Sequence, residues 1–186
     1  MRQKSVGRED ALDKLAQVFR ETGYEGASLA LLSKATGLGR ASLYHHFPGG
    51  KVEMAHEVLR RIGEQAEREV LSHLRGSVQP HIKMRRFIAA VNEFYNEGRT
   101  NCIVAALVLS GGPAYCANLL KESIQLWIDA LAVALLEHGL SRSESHARAT
   151  NVVAQIQGSL IVSRCLGNLA PFRQMVRTLP GILLAG

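Results

Sequence analysis

Apolar stretches long enough to cross a bilayer are missing from this chain. Strictly apolar runs such as Ile103–Leu109 fall far short of the roughly 20 residues that a membrane-spanning helix needs. Residues 1–10 are polar and charged, with no apolar segment behind them, so no secretory leader is expected. Cysteine is scarce: Cys102, Cys116 and Cys165 are odd in number, widely spaced and without a CxxC pair. That suggests neither a disulfide framework nor a zinc site, and a reducing, cytoplasmic setting fits best. None of the 7 histidines lies three or four residues from another, so no helical metal-binding face is written in the chain. Only 5% of residues are aromatic, yet 47% are apolar and 20% charged, a balance that supports a packed core and argues against disorder.

Enzyme signatures are missing as well. Gly37-x-Gly39-x-x-Ser42 lacks the third glycine of a dinucleotide-binding turn and follows a helical pattern rather than a strand. Gly50-Lys51 has neither the upstream glycine nor the following hydroxyl residue of a phosphate loop, and there is no GxSxG elbow. Glu64, Glu67 and Glu69 alternate with Arg60, Arg61 and Arg68, as on a solvated helix face. Beyond Cys102 and Cys116 themselves nothing suggests catalysis, so neither enzymatic activity nor a cofactor is expected.

One further absence is informative. The net charge is +6, and no Asp or Glu occurs in residues 26–52, where Lys34, Arg40 and Lys51 stand with His45 and His46. A buried segment would also explain this, but a surface that approaches phosphates requires it, because every acid there would repel nucleic acid.

The residues present read as helix nearly throughout. Ala11, Leu12, Leu15, Ala16, Val18 and Phe19 form one stripe over residues 8–22, and Gly23 is placed to close it. A short helix follows, with Ser28 as N-cap and Gly37 as its stop, and a third spans residues 40–47, ended by Pro48-Gly49-Gly50. A long helix over residues 50–74, about 35 Å by its rise per residue, carries Val52, Ala55, Val58, Leu59, Ile62, Ala66 and Val70 on one line. Beyond Pro80 come further helices. One runs over residues 114–138 with apolar residues on more than one face, suggesting burial, and Gly111-Gly112-Pro113 breaks the chain before it. Ser141 and Glu144 read as a capping box for the next helix, and a last one follows Asn168. The expected fold is all-α: a three-helix head in residues 1–50 with a helix-turn-helix, a long linking helix, and a helical body that completes residues 51–186.

In the head, Leu32, Leu38, Leu43 and Phe47 are spaced to face inward. Arg40, Ala41, Ser42, Tyr44, His45 and His46 are then left outward. Arginine pairs bidentately with guanine and alanine meets a thymine methyl, while hydroxyl, phenol and imidazole groups reach phosphates. Tyr44 would also serve as a half-buried core aromatic, and His46 as a structural histidine. Arg40 has no acid nearby in the sequence to explain it otherwise.

The run Thr36-Gly-Leu-Gly-Arg-Ala-Ser-Leu-Tyr-His-His-Phe47 and its flanks, residues 23–51, resemble the head of the tetracycline-repressor (TetR) family. The resemblance implies a homodimeric regulator that binds double-stranded operator DNA and lets go when a small molecule binds the body. It implies that Ser28 touches a phosphate and that Arg40 and Ala41 meet base edges. Ser42 and His45 would lie at the groove wall, Tyr44 and His46 would hold the DNA backbone, and Lys51 would pair with a phosphate. The chain departs from the family in one place: Pro48-Gly49-Gly50 makes the link before Lys51 three residues rather than two.

Residues 98–109 are similar to a branch of the family that answers to drug-like or flavonoid-like aromatics. That similarity implies an effector pocket in the body, with Phe87, Phe94, Cys102 and Trp127 as candidates for its wall, though these residues would equally serve as ordinary core. The low charge of the segment suits an apolar effector. The last two helices are the expected dimer interface. Gly158, Ser159 and Ser163 would permit close approach, and Val152, Ile156, Phe172, Met175 and Leu179 would supply apolar area. Two heads are needed about 34–36 Å apart to read successive major grooves. The rival reading is a helical small-molecule binder that keeps the head fold without regulating anything.

Overall fold

Glycines and capping hydroxyls divide the chain much where the periodicity places its breaks. The computed structural model describes residues 7–110 and 116–184, which form nine α-helices and two short 3-10 turns with no strand among them. The helices are α1 (Arg8–Gly26), α2 (Leu29–Thr36), α3 (Arg40–His46), α4 (Gly50–Glu69), α5 (Pro80–Phe94), α6 (Ile103–Leu109), α7 (Cys116–Glu137), α8 (Arg142–Leu166) and α9 (Ala170–Leu184). The fold is all-α.

Ser28 caps α2 by accepting the Leu31 N–H at 3.2 Å, and Gly37 ends it with φ 74°. Ser141 caps α8 by accepting the Glu144 N–H at 3.3 Å, while the Glu144 carboxylate accepts from Arg148 at 2.7 Å. Two boundaries depart from the sequence expectation. Gly23, at φ 67° and ψ −174°, kinks α1 instead of ending it, and the helix resumes to Gly26. The α-helical part of α4 is 20 residues, about 30 Å long, after which the chain tightens into a 3-10 turn over Leu71–Leu74. The Gly111-Gly112-Pro113 break lies outside the described residues.

The chain folds into two compact units. One takes in the chain up to Gly63 with α6 and the start of α7; the other runs from Glu64 to Cys102 and from Lys121 onward. The division therefore falls inside α4, later than a boundary at residues 50 and 51, and α6 goes with the head. The reason lies in α1, whose kink at Gly23 receives the end of α6. The Tyr24 N–H, turned out of the helix ladder, donates to Ser110 Oγ at 2.6 Å.

In the first unit Leu12, Leu15 and Phe19 of α1 are buried together with Leu32, Leu43, Phe47, Met54 and Val58. Each such side chain contributes about 1.5–3 kcal/mol by leaving water. Ion pairs fasten α1 to α4 at the surface. Arg61 Nε donates to Asp13 at 2.9 Å, and its Nη1 pairs with Glu9. Glu57 accepts from Arg8 at 3.0 Å and from Arg60 at 3.1 Å, and the Arg8 guanidinium lies 5.2 Å over the Phe47 ring. These arginines, led by Arg60, hold the Glu57 carboxyl below its ordinary range.

In the second unit Met84, Phe87 and Val91 of α5, Leu131 and Leu135 of α7, Val152, Ile156 and Leu160 of α8, and Phe172, Met175 and Leu179 of α9 are all buried. Lys83 is buried as well and places its ammonium on the Glu137 carboxylate. This packing corrects the expected dimer surface. Val152, Ile156, Phe172, Met175 and Leu179 belong to the protomer's own core. Ser163 is buried too, accepting the Phe172 N–H at 3.1 Å, so its small side chain admits α9 of the same chain. Gly158 and Ser159 stay partly exposed, beside Ile161, Val162 and Leu166, which are exposed. Nor is α7 enclosed: Leu126, Val133 and Leu136 reach solvent.

Candidate nucleic-acid interface

The turn between α2 and α3 is held from within by two residues that the helical pattern does not single out. Ser33 Oγ donates to Leu38 O at 2.6 Å, across the turn. Thr36, wholly buried, donates to Leu32 O at 2.8 Å and accepts the Leu38 N–H at 3.3 Å. These bonds leave the turn's polar groups paired and hold the two helices at their junction. Only the proximity of Ser33 and Thr36 to the Gly37 turn signals such a role in the sequence.

The turn fixes which face α3 shows. Leu43 and Phe47, four residues apart, are fully buried. Arg40, Ala41, Ser42, Tyr44 and His45 are exposed, and His46 is half-buried with its ring 6.3 Å from Phe47. Among the described residues Arg40 has no ion-pair partner, so its guanidinium is free for an outside acceptor. Tyr44 is 45% exposed, which places it on the surface and not in the core. Its ring lies against Gly50, where an added Cβ would stand 3.3 Å from Cε1 and the backbone has φ 68°. The third residue of the link before Lys51 is thus a glycine that both the turn and the tyrosine require. The Gly49 N–H that follows Pro48 donates to Glu53 at 2.7 Å, satisfying one amide at the start of α4.

Ser28 lies at the exposed edge of α2. Its oxygen is used as a cap, which leaves the hydroxyl proton for an acceptor such as a phosphate. Lys51 is placed differently from the others. It is half-buried, its Nζ donates to Tyr24 O at 3.0 Å, and the ammonium lies 4.3 Å from the centre of the Tyr24 ring. One of its three protons is therefore spent on α1. Burial raises the Tyr24 phenol pKa, and the neighbouring Glu25 carboxylate and Cys116 add to it. The structure brings Arg40, Ala41, Ser42, Tyr44 and His45 onto one exposed face and sets Ser28 at the start of α2. The tether on Lys51 is a feature the sequence pattern does not disclose.

In the second unit, the rings of Phe87 and Phe94 lie 6.2 and 6.3 Å from Trp127, mostly edge-to-face, and Tyr95 joins them at 6.4 Å from Trp127 and 6.1 Å from Phe172. Three of the four pocket candidates are thereby brought together. The fourth, Cys102, is a buried free thiol just before α6. Among the described residues no cluster of His, Cys, Asp or Glu is arranged to hold a metal, and no described helix is long and apolar enough to cross a membrane.

Comparisons with known proteins fit this architecture. Residues 11–58 match the sequence profile described as bacterial regulatory proteins of the tetR family, and residues 80–178 match that of the LmrA/YxaF-like transcriptional regulator C-terminal domain. The HTH-type transcriptional regulator LmrA of Bacillus subtilis (strain 168) is 26% identical over 95% of this chain and 96% of its own length. A TetR transcriptional regulator from Legionella pneumophila superposes with a TM-score of 0.82 at 20% identity, covering 97% of this chain and 98% of its own. The TetR family regulator CifR, as a cysteine mutant complexed with 26-base-pair operator DNA, superposes with a TM-score of 0.76 at 22% identity, covering 99% of each chain. With both profiles matched in order and the helix-turn-helix built as described, this chain belongs to the TetR family of DNA-binding transcriptional regulators.

Proposed function

We propose that this regulator is a homodimeric repressor, released from its operator when a small, largely apolar effector binds its second unit. The observation that carries the DNA half of the reading is α3: a face of Arg40, Ala41, Ser42, Tyr44 and His45, all exposed, in a stretch of residues 26–52 without one acid. Arg40 and Ala41 read base edges there. Ser28, Ser42, Tyr44, His45 and His46 contact the backbone, and Lys51 offers a phosphate the protons that Tyr24 does not use.

Two copies join through the outer side of α8, where Gly158 and Ser159 lie beside the exposed Ile161, Val162 and Leu166. Among the described residues that apolar ridge stays exposed, and close approach is open to a second helix at the glycine. The effector is taken up at the Phe87, Phe94 and Trp127 rings, with Cys102 close by in sequence to the segment entering α6. Release requires the effector to favour the DNA-free state; each tenfold loss of operator affinity takes about 1.4 kcal/mol of differential binding. The chain acts in the cytoplasm, where its DNA is.

A gel-shift titration with the DNA upstream of the chain's own gene tests the reading. Saturable, sequence-selective binding that weakens steeply with salt is expected, since phosphate contacts release counterions. Binding indifferent to sequence, or none at low salt, would overturn it.

A further inference from the structure

Lys51 is a phosphate candidate whose ammonium the fold holds from inside, and what holds it leads away from α3. Tyr24 is gripped from two sides. Its carbonyl accepts from Lys51 Nζ at 3.0 Å, with the ammonium over its ring. Its N–H, freed by the kink at Gly23, donates to Ser110 Oγ at 2.6 Å, just past the end of α6. Ser110 in turn donates to Leu107 O at 3.4 Å, which ties its hydroxyl to α6. The approach of Ser110 to α1 is as close as atoms allow: a Cβ at Gly23 would stand 2.4 Å from Ser110 Cβ. The Tyr24 ring also stacks on Phe19 of the core at 6.3 Å. Tyr24 is therefore held as a fixed post between the end of α6 and the start of α4, within one compact unit.

We infer that Ser110 is a positioning residue for operator binding, acting through Tyr24 on Lys51. With the hydroxyl in place, Tyr24 O stands where it draws the Lys51 ammonium back along α4, and the remaining two N–H groups are aimed by that bond. Without it, the Tyr24 N–H loses its acceptor, the kinked end of α1 is left with the Ala27 N–H bond to Tyr24 O, and the carbonyl that orients Lys51 shifts. The inference rests on the reading of the head as DNA-binding, and it names a control of that site that α3 and α4 do not contain. Mere proximity along such a chain of contacts is not coupling, so the test must measure coupling itself.

Four proteins are compared as full chains: wild type, Ser110→Ala, Lys51→Ala and the double variant. Each is titrated by fluorescence anisotropy against a duplex that the wild type selects from a random-sequence pool. Ser110→Ala should weaken binding about fivefold, the worth of one lost hydrogen bond. It should weaken it no further when Lys51 is already alanine. In parallel, without DNA, the rate of reductive methylation at Lys51 is followed by mass spectrometry, with the exposed Lys34 as internal reference. Ser110→Ala should raise the Lys51 rate and leave the Lys34 rate unchanged. Losses that add in the double variant, or an unchanged Lys51 rate, would overturn the inference. If no duplex is selected, the regulator reading itself fails, while the methylation comparison still judges the link from Ser110 to Lys51. Thermal melting by circular dichroism accompanies every variant. Should Ser110→Ala melt below the assay temperature, Ser110→Cys, which keeps the bulk but offers a weaker acceptor, takes its place with the same outcomes.

Discussion

Replacing Gly23 by alanine puts the sharpest stress on the packing described here. The backbone at Gly23 has φ 67° and ψ −174°, a combination that L residues with a side chain hardly populate. Forcing alanine into it costs about 1–3 kcal/mol. The new Cβ would also stand 2.4 Å from Ser110 Cβ, 2.5 Å from its Oγ and 3.3 Å from Ala106 O. The first two contacts lie well inside van der Waals distance, so the end of α6 must retreat, at an overpacking cost of about 1–3 kcal/mol. Together these predict a loss of about 4 kcal/mol, a large share of the roughly 5–15 kcal/mol that keeps a typical protein folded. Urea unfolding followed by circular dichroism measures it, at one protein concentration throughout because the proposed dimer would add to apparent stability. The two causes are separable. Ser110→Gly removes the side chain that the new Cβ strikes but also leaves the Tyr24 N–H without its acceptor. The double variant is therefore compared with Ser110→Gly alone, against which Gly23→Ala should cost only the backbone strain, about 2 kcal/mol. A loss below about 1 kcal/mol for Gly23→Ala, or an equal loss from Gly23→Ala with and without the Ser110 side chain, would refute the α1–α6 contact.

The remaining predictions concern the interfaces and one titrating group. Arg40→Ala should cost about 1–3 kcal/mol of operator affinity and relax the preference at one base position, while leaving binding to unrelated DNA nearly unchanged; equal losses on both duplexes would refute the base-reading role. Ile161→Asp should drive the protein toward monomer in sedimentation, by about tenfold or more in the dimer dissociation constant, since burying an apolar side chain of this size is worth about 1.5–3 kcal/mol. An unchanged dimer would move the interface elsewhere. Glu57 has its folded pKa lowered by Arg60 and Arg8. Its contribution is therefore present above the unfolded carboxylate pKa of about 4.3 and is lost as pH falls through the folded value. Because Arg8 and Arg60 are 38% and 45% exposed, the pair is screened, and Glu57→Gln should cost only about 1 kcal/mol at neutral pH, a gap that closes in acid. A gap that persists at low pH would mean the carboxylate charge is not what matters. Trp127 is the chain's 1 tryptophan, so an apolar aromatic effector should change its fluorescence saturably, and Phe94→Ala should weaken that response; a ligand that releases DNA without touching the emission would place the pocket away from these rings.

The head could be read from the chain because its determinants are local. Ser28 and Gly37 bound α2 through capping chemistry confined to a few residues, and the spacing of Leu43 and Phe47 alone decides that Arg40 to Ser42 face outward. The acid-free stretch needs no structure to be seen. The body resisted the same reading. A helix with apolar residues on two sides, such as α8, does not say which side meets its own chain and which a partner, because the 3.6-residue period is the same for both. Val152, Ile156, Phe172 and Met175 went to the protomer's core, and Ile161, Val162 and Leu166 were left outside, only once α9 had folded back and the Phe172 N–H had found Ser163.

Sequence by itself determined the all-α class, the helix-turn-helix and the face of α3 that is left exposed, since each follows from residues within a turn or two of one another. Tertiary structure alone decided what depends on residues far apart in the chain. It sent α6 to the kink at Gly23, tied Lys51 to Tyr24 and fastened α4 to α1 through Arg61 and Glu57. These contacts form only after the helices have packed, because a backbone N–H released by a kink, or a lysine half-drawn from water, takes its partner from whatever the fold brings within about 3 Å.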